Sequence, residues 1–346
     1  MAEHTAIFRA SASPEIGGGH IIRCLSLARE LRDQGWNCIF ASEQETLMMM
    51  PIIREFKFLK LSKNDEKDEA SQVRKKLNSS AAAVIVDHYN RGLTFEKKCR
   101  KWSKIVMAID DIPNRLHDVD LLLDQTGGRT PRRYKSLVPK DCKILTGPKF
   151  SLLRSSFSSL GASHKRHLNR GKHRIFVAMG ASDPKNLTNI VLNTIHQVSP
   201  NSSADILLSS NAPHLSGIKK LCSGHHTYSL HTDLNDPASL ISKATFAVGT
   251  AGINLWERCA LGVPSVIVIA AENQRANAEY VIQNNGGIFG GALPTLDQNY
   301  LRQAISRMAN EDQIVLSCSQ GAAKICDGLG TKRVAKIIFS LVKNSA

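Results

Sequence analysis

Aromatic side chains are scarce in this chain, 5% of its residues, and none sits in the strand-borne clusters that stack nucleobases. A paired-cysteine finger is missing too, because no C-x-x-C occurs among Cys24, Cys38, Cys99, Cys142, Cys222, Cys259, Cys318 and Cys326. These cysteines fall within apolar patterns and read as reduced core thiols. The net charge of +15 would suit a polyanion, but its lysines and arginines are spread along the chain. Specific nucleic-acid binding is therefore not expected. Nor is a metal or another cofactor, since no His, Asp and Cys cluster shows ligand spacing. No apolar run is long enough to span a bilayer, and Met1-Ala2-Glu3-His4 opens no signal-peptide pattern. The expectation is a cytoplasmic, monomeric protein without a membrane partner.

What is present is enough apolar material for two cores. The chain has 346 residues, 42% of them hydrophobic, with a mean hydropathy of -0.18. Short apolar runs at 5–10, 37–41, 83–86, 105–109, 119–123 and 143–145 alternate with amphipathic stretches. That is βα alternation, which predicts a parallel sheet covered by helices. After a serine-rich and basic stretch the pattern repeats, with strands at 174–179, 206–208, 244–248 and 265–269. From 286 onward it is helical, at 296–309, 313–325 and 332–342. The expected division is a domain over 1–150, a linker over 151–172, and a second doubly wound domain over 173–346 carrying the terminal helices.

Within the first half, Ile16-Gly17-Gly18-Gly19-His20 joins a strand to a helix whose apolar stripe is Ile21, Cys24, Leu25, Ala28 and Leu31. Gly35 is placed to stop that helix. Three glycines permit a tight turn and close ligand approach, and the helix start offers free N–H groups, so the turn suits a diphosphate. Arg9 and Arg23 flank it and favour an anion. A plain glycine turn with a solvated His20 is the structural alternative. Asp87-His88-Tyr89 and Asp110-Asp111 follow strands, where ligands bind in such sheets. The carboxylates read as caps or turn formers. Tyr89 is the better sugar contact, because its ring can pack on a pyranose while its hydroxyl bonds to it. Met48-Met49-Met50 reads as core filler, and the charged stretch 62–76 as an exposed loop and helix without function.

In the second half, Gly249-Thr250-Ala251-Gly252 is another small-residue loop at a helix start, again suited to phosphate. Glu257 lies about one turn into that helix, able to reach a vicinal diol or else simply to sit on the surface favoured by the dipole. Asn273 and Gln274 at a strand exit are either loop formers or sugar partners.

Together, Ile16 to His20 with Arg23-Cys24-Leu25, the Asp87-x-Tyr89 pair, Asp110-Asp111, Leu152-Leu153-Arg154, Gly252 with Trp256-Glu257-Arg258-Cys259, Gly262-x-Pro264 and Asn273-Gln274 resemble a known family. It is that of the UDP-sugar hydrolases of pseudaminic acid biosynthesis. The resemblance implies two doubly wound Rossmann-like domains facing across a cleft, the architecture of B-type glycosyltransferases. It implies release of UDP from UDP-2,4-diacetamido-2,4,6-trideoxy-β-L-altropyranose, without a metal, by water attack at the anomeric carbon with inversion. It makes His20 the general base, and places uridine and diphosphate along the second loop, Glu257 and Asn273-Gln274. The chain departs from the family at Ser11, where Asp is usual, at Ser156, where Glu is usual, and at Thr126, Ala181, Thr250 and Ala251. Losing carboxylates next to the sugar would alter which sugar is accepted, or weaken catalysis. A transferase of the same fold and a non-catalytic nucleotide-sugar binder are the competing readings.

Overall fold

The computed structural model describes residues 4–13, 17–62, 66–161 and 172–345, without the side chains of residues 66 and 67. The basic part of the expected linker, 162–171, and Ile16 lie outside the described residues. Two compact units are formed, one of Met1–Leu153 with Leu329–Ala346 and one of Arg154–Gly328.

Among the described residues of the first unit, seven parallel strands run β1 (Thr5–Ala10), β2 (Asn37–Glu43), β3 (Lys57–Leu61), β4 (Ala81–Asp87), β5 (Ser103–Ile109), β6 (Leu121–Asp124) and β7 (Lys143–Thr146). Their order is β3-β2-β1-β4-β5-β6-β7. The central strands are mostly apolar because helices cover both faces; β4 is buried along its whole length. The direction of winding reverses beside β1, so the carboxyl ends of β1 and β4 border the crevice where such sheets bind ligands. There Ala10 is in register with Asp87. The helix Gly19–Asp33 follows β1, buries Ile21, Cys24, Leu25, Ala28 and Leu31, and ends where Gly35 adopts φ +84°.

Among its described residues the second unit holds six parallel strands: β8 (Arg174–Ala178), β9 (Ser203–Leu208), β10 (Tyr228–Thr232), β11 (Phe246–Thr250), β12 (Ser265–Ile269) and β13 (Gly287–Ala292). Their order is β10-β9-β8-β11-β12-β13, with the same reversal between β8 and β11.

Three strands escape the sequence pattern, and all three lie in the outer part of a sheet. β3, β10 and β13 are edge strands, paired on one side only, so Lys57, Lys60, His231 and a run of glycines are tolerated where a central strand would need apolar residues. The C-terminal helix Gly330–Asn344 differs from the expected division as well. It packs on the helix Gly19–Asp33 in the first unit, burying Val334, Ala335, Ile338 and Val342 in that unit's core. A Cβ on Gly330 would lie 2.3 Å from the Ser151 carbonyl oxygen, so glycine permits the chain to return this closely. Among the described residues, no helix is long and apolar enough to cross a membrane.

Candidate active site at the carboxyl ends of β1 and β4

His20 is the second residue of its helix and only 7% exposed. Its Nδ1 lies 2.5 Å from Oδ1 of Asp87, the last residue of β4. Asp87 is 1% exposed and receives three further donors. Arg23 Nε donates to Oδ2 at 2.6 Å and Arg23 Nη2 to Oδ1 at 2.6 Å, while the Cys24 thiol approaches Oδ2 at 3.6 Å. His20, Arg23 and Cys24 can converge because residues three and four apart share one helix face. Burial opposes the charge on Asp87, but Arg23 and then His20 outweigh it and hold the carboxyl well below its usual range. An ionised carboxylate accepts a hydrogen bond from Nδ1–H, and in the neutral tautomer that this favours Nε2 is the ring nitrogen with a lone pair.

Tyr89 closes this group, its ring edge-on to the His20 ring at a centroid distance of 4.9 Å. Its hydroxyl lies 3.5 Å from Oδ2 of Asp111, and the same oxygen is 3.6 Å from Arg23 Nη1. Burial, then Asp111, raise the phenol above its ordinary range, so Tyr89 is neutral and acts as a donor. Gly17, with φ +72°, makes the turn into the helix and bonds back to the Ser13 carbonyl at 2.8 Å. A side chain on Gly18 would meet the Met50 sulfur at 2.8 Å, while Gly19 opens onto free space.

Arg9 is corrected by the structure. It is fully buried, and its guanidinium donates to Glu69 at 2.5 Å, Glu43 at 2.6 Å and the Ser11 hydroxyl at 2.6 Å. Two carboxylates hold it inside the protein, so it is not an anion ligand. Burial would raise Glu43, but Arg9 and Ser11 bring it down to about 2. Glu69, from the stretch read as exposed and without function, is fully buried and also bonds to Arg91 at 2.6 Å. Arg23 is corrected in part, since its Nε and Nη2 serve Asp87 rather than a phosphate. Met48 is 69% exposed and not core filler, whereas Met49 and Met50 pack against the core and Met50 also lies beneath the glycine turn.

In the second unit, Glu257 is 5% exposed on the helix Ile253–Ala260. Its Oε1 accepts from Arg154 Nη1 at 2.8 Å and its Oε2 from Asn254 Nδ2 at 2.7 Å. Burial raises its pKa despite Arg154. It is therefore not a surface helix residue. Gly249 is not part of a loop either. It lies inside β11, and a Cβ there would stand 2.0 Å from Arg258 Nη1. The glycine makes room for the buried Arg258, which donates to the Thr250 carbonyl at 2.8 Å. Gly252 starts the helix with open space over its Cα. Gln274 accepts from the Ala270 N–H at 3.1 Å, and Asn273 is exposed beside it on the turn Glu272–Gln274. Ser156, one of the departures, donates to Asp236 at 3.0 Å. Among the described residues, no group of three or more His, Cys, Asp and Glu is placed to hold a metal ion.

Asp87 is the residue of the candidate site that strand-exit reasoning misassigned. Its partner is 67 positions away, and no local pattern links the two. The available signal was its place at the end of a wholly apolar run, where an ionised group must find a partner.

No family model matches the chain. It is 26% identical to the spore coat polysaccharide biosynthesis protein SpsG of Bacillus subtilis, over 98% of this chain and 98% of that protein. It is 24% identical to the UDP-2,4-diacetamido-2,4,6-trideoxy-β-L-altropyranose hydrolase of Campylobacter jejuni, over 80% of this chain and 95% of that one. Among solved structures, CalG4, the calicheamicin glycosyltransferase, superposes with a TM-score of 0.64 at 12% identity, covering 99% of each chain. The fold is that of the B-type glycosyltransferases.

Proposed function

We propose that this chain is a hydrolase that releases UDP from a nucleotide sugar, the sugar being the diacetamido-trideoxy-altropyranose named for its Campylobacter relative. Water adds to the anomeric carbon opposite the diphosphate, and the bond from that carbon to the β-phosphate oxygen breaks. The bonding electrons leave with UDP, and a proton of the water passes to His20 Nε2. The observation that carries this reading is the buried Asp87 carboxylate on His20 Nδ1, which sets the tautomer a general base requires. A diphosphate is a weak base and leaves without a strong acid, so fixed donors suffice on its side. The open helix start at Gly18 and Gly19, beyond the turn at Gly17, supplies N–H groups of that kind. Tyr89 is assigned to the sugar, and Gly252, Glu257 with Arg154, Asn273 and Gln274 to the nucleotide.

UDP release from that substrate with no acceptor present tests the proposal, wild type beside His20→Ala. Wild type should turn over, and the variant should lose about a hundredfold or more in kcat with UDP affinity kept. Equal loss of UDP binding would make His20 a phosphate ligand and overturn its role. Sugar transfer is the second reading, favoured by the fold shared with a glycosyltransferase. UDP release that depends on an added acceptor would establish it instead.

A further inference from the structure

The loop 110–117, between β5 and β6, carries Asp111 to the candidate site and is anchored at its far end by His117. That imidazole is completely buried between two completely buried carboxylates. Its Nδ1 is hydrogen-bonded at 2.7 Å to Oε1 of Glu96 on the helix Leu93–Cys99, and its Nε2 is 3.4 Å from Oδ2 of Asp110, an ion-pair contact between two buried atoms that have no hydrogen-bond partner. Glu96 Oε2 accepts the Asp118 N–H at 2.7 Å, so one carboxylate grips both sides of the loop's end. At the near end, Arg115 Nη2 meets Asp110 Oδ1 at 2.8 Å, and the Tyr134 hydroxyl donates to the Asp110 carbonyl at 2.8 Å. Arg129 Nη2 donates to the Asp111 carbonyl at 3.1 Å. The bonds to the Asp110 and Asp111 carbonyls fix the backbone at Asp111, whose carboxylate lies beside Tyr89 and Arg23.

We propose that His117 is a positioning residue for the site: doubly protonated, it ties Glu96 to Asp110 and so holds Asp111, Tyr89 and Arg23 around the His20–Asp87 pair. The role rests on the hydrolase reading above for its kinetic consequence, though not for its structural one. Two ring N–H groups are needed to serve two buried carboxylates, and a neutral imidazole has only one. Once the proton is lost, Oδ2 of Asp110 faces a ring nitrogen that carries no hydrogen, which is costly in a buried setting. Burial disfavours the charged ring, but Asp110 and Glu96 overcome it and raise His117 to about 9. Besides these, the charged and titratable groups around the ring are Arg115 on the loop, Asp124 and Arg129 beyond Tyr134, and the thiols of Cys99 and Cys142 facing Glu96.

The test compares wild type with His117→Gln, which keeps one amide donor and never carries charge, and with Glu96→Gln. Three readouts are followed between pH 7 and 10: kcat for UDP release, UDP affinity, and hydrogen-exchange protection of amides 111–116 corrected for intrinsic rates. Wild type should lose kcat and protection as pH passes about 9, with UDP affinity steady. His117→Gln should lower kcat about tenfold at pH 7, with UDP affinity unchanged and the alkaline step removed. Glu96→Gln should move that step to lower pH, because a carboxylate that favours the imidazolium is gone. A folded His117→Gln with wild-type kcat, pH profile and protection overturns the proposal. If that variant does not fold, an unmoved step in Glu96→Gln overturns it. Should wild type release no UDP from its substrate, the hydrolase reading fails while loop protection still decides the role of His117.

Discussion

At the scale of single residues, charge placement separates what can act from what holds the protein together. Asp87 and Arg9 both lie in ion networks, yet only Asp87 points a fixed charge at an imidazole. Asp87→Asn keeps the shape and loses the charge, so the proton on His20 is no longer directed to Nδ1. A fall in kcat of about a hundredfold or more is expected, measured at a temperature where circular dichroism shows the variant folded. Arg9 gives the opposite outcome. Arg9→Met leaves Glu69 buried without that donor and should cost about 3–5 kcal/mol in urea unfolding, with the remaining folded fraction fully active. The departure at Ser11 also becomes intelligible at this scale. Its hydroxyl accepts from Arg9 and donates to Glu43, so Ser11 belongs to the network that holds the buried Arg9. Arg9 was legible as a cation near the turn. Its partners at positions 43 and 69 were not, because only strand pairing and helix docking bring them together.

Among elements, glycines near the sites do different work according to what faces them. A Cβ on Gly18 meets the far end of a methionine, which can swing aside. A Cβ on Gly249 meets the Arg258 guanidinium at 2.0 Å and the Ala178 carbonyl oxygen at 2.8 Å, and the backbone cannot move without breaking β11 from β8. Gly249→Ala should therefore cost about 3 kcal/mol, against less than about 1 kcal/mol for Gly18→Ala, compared by chemical denaturation. The sequence pattern marked both as phosphate loops; composition alone does not distinguish a glycine that admits a ligand from one that admits an arginine. Helices with long apolar stripes were legible, including the last one. Its destination was not, since the stripe of Val334, Ile338 and Val342 specifies a buried face but not which unit covers it.

For the whole molecule, pH acts through the groups whose protonation differs between folded and unfolded chain. His117 rises from 6.5 to about 9 on folding, so its contribution is complete below about 6.5 and disappears as pH climbs through 9. Glu43 falls from 4.5 to about 2, so its contribution is complete above 4.5 and disappears as pH falls toward 2. Urea midpoints should form a plateau between about pH 5 and 7 and decline on both sides, with the alkaline decline absent in His117→Gln. The net charge of +15 predicts a second global effect. A field of that sign draws in a diphosphate, so kcat/KM should fall with added salt while kcat holds steady.

By itself the sequence determined two αβ-alternating halves, the glycine turn before His20, and the apolar faces that helices and central strands bury, because each is written in the spacing of neighbouring residues. Tertiary structure decided the rest. It paired His20 with Asp87, turned Arg9 inward, set Arg258 over Gly249, sent the last helix back to the first unit, and strung His117 between Glu96 and Asp110. The physical reason is common to all five. A buried charge or an apolar face needs a partner, but its chemistry does not say how far along the chain that partner lies.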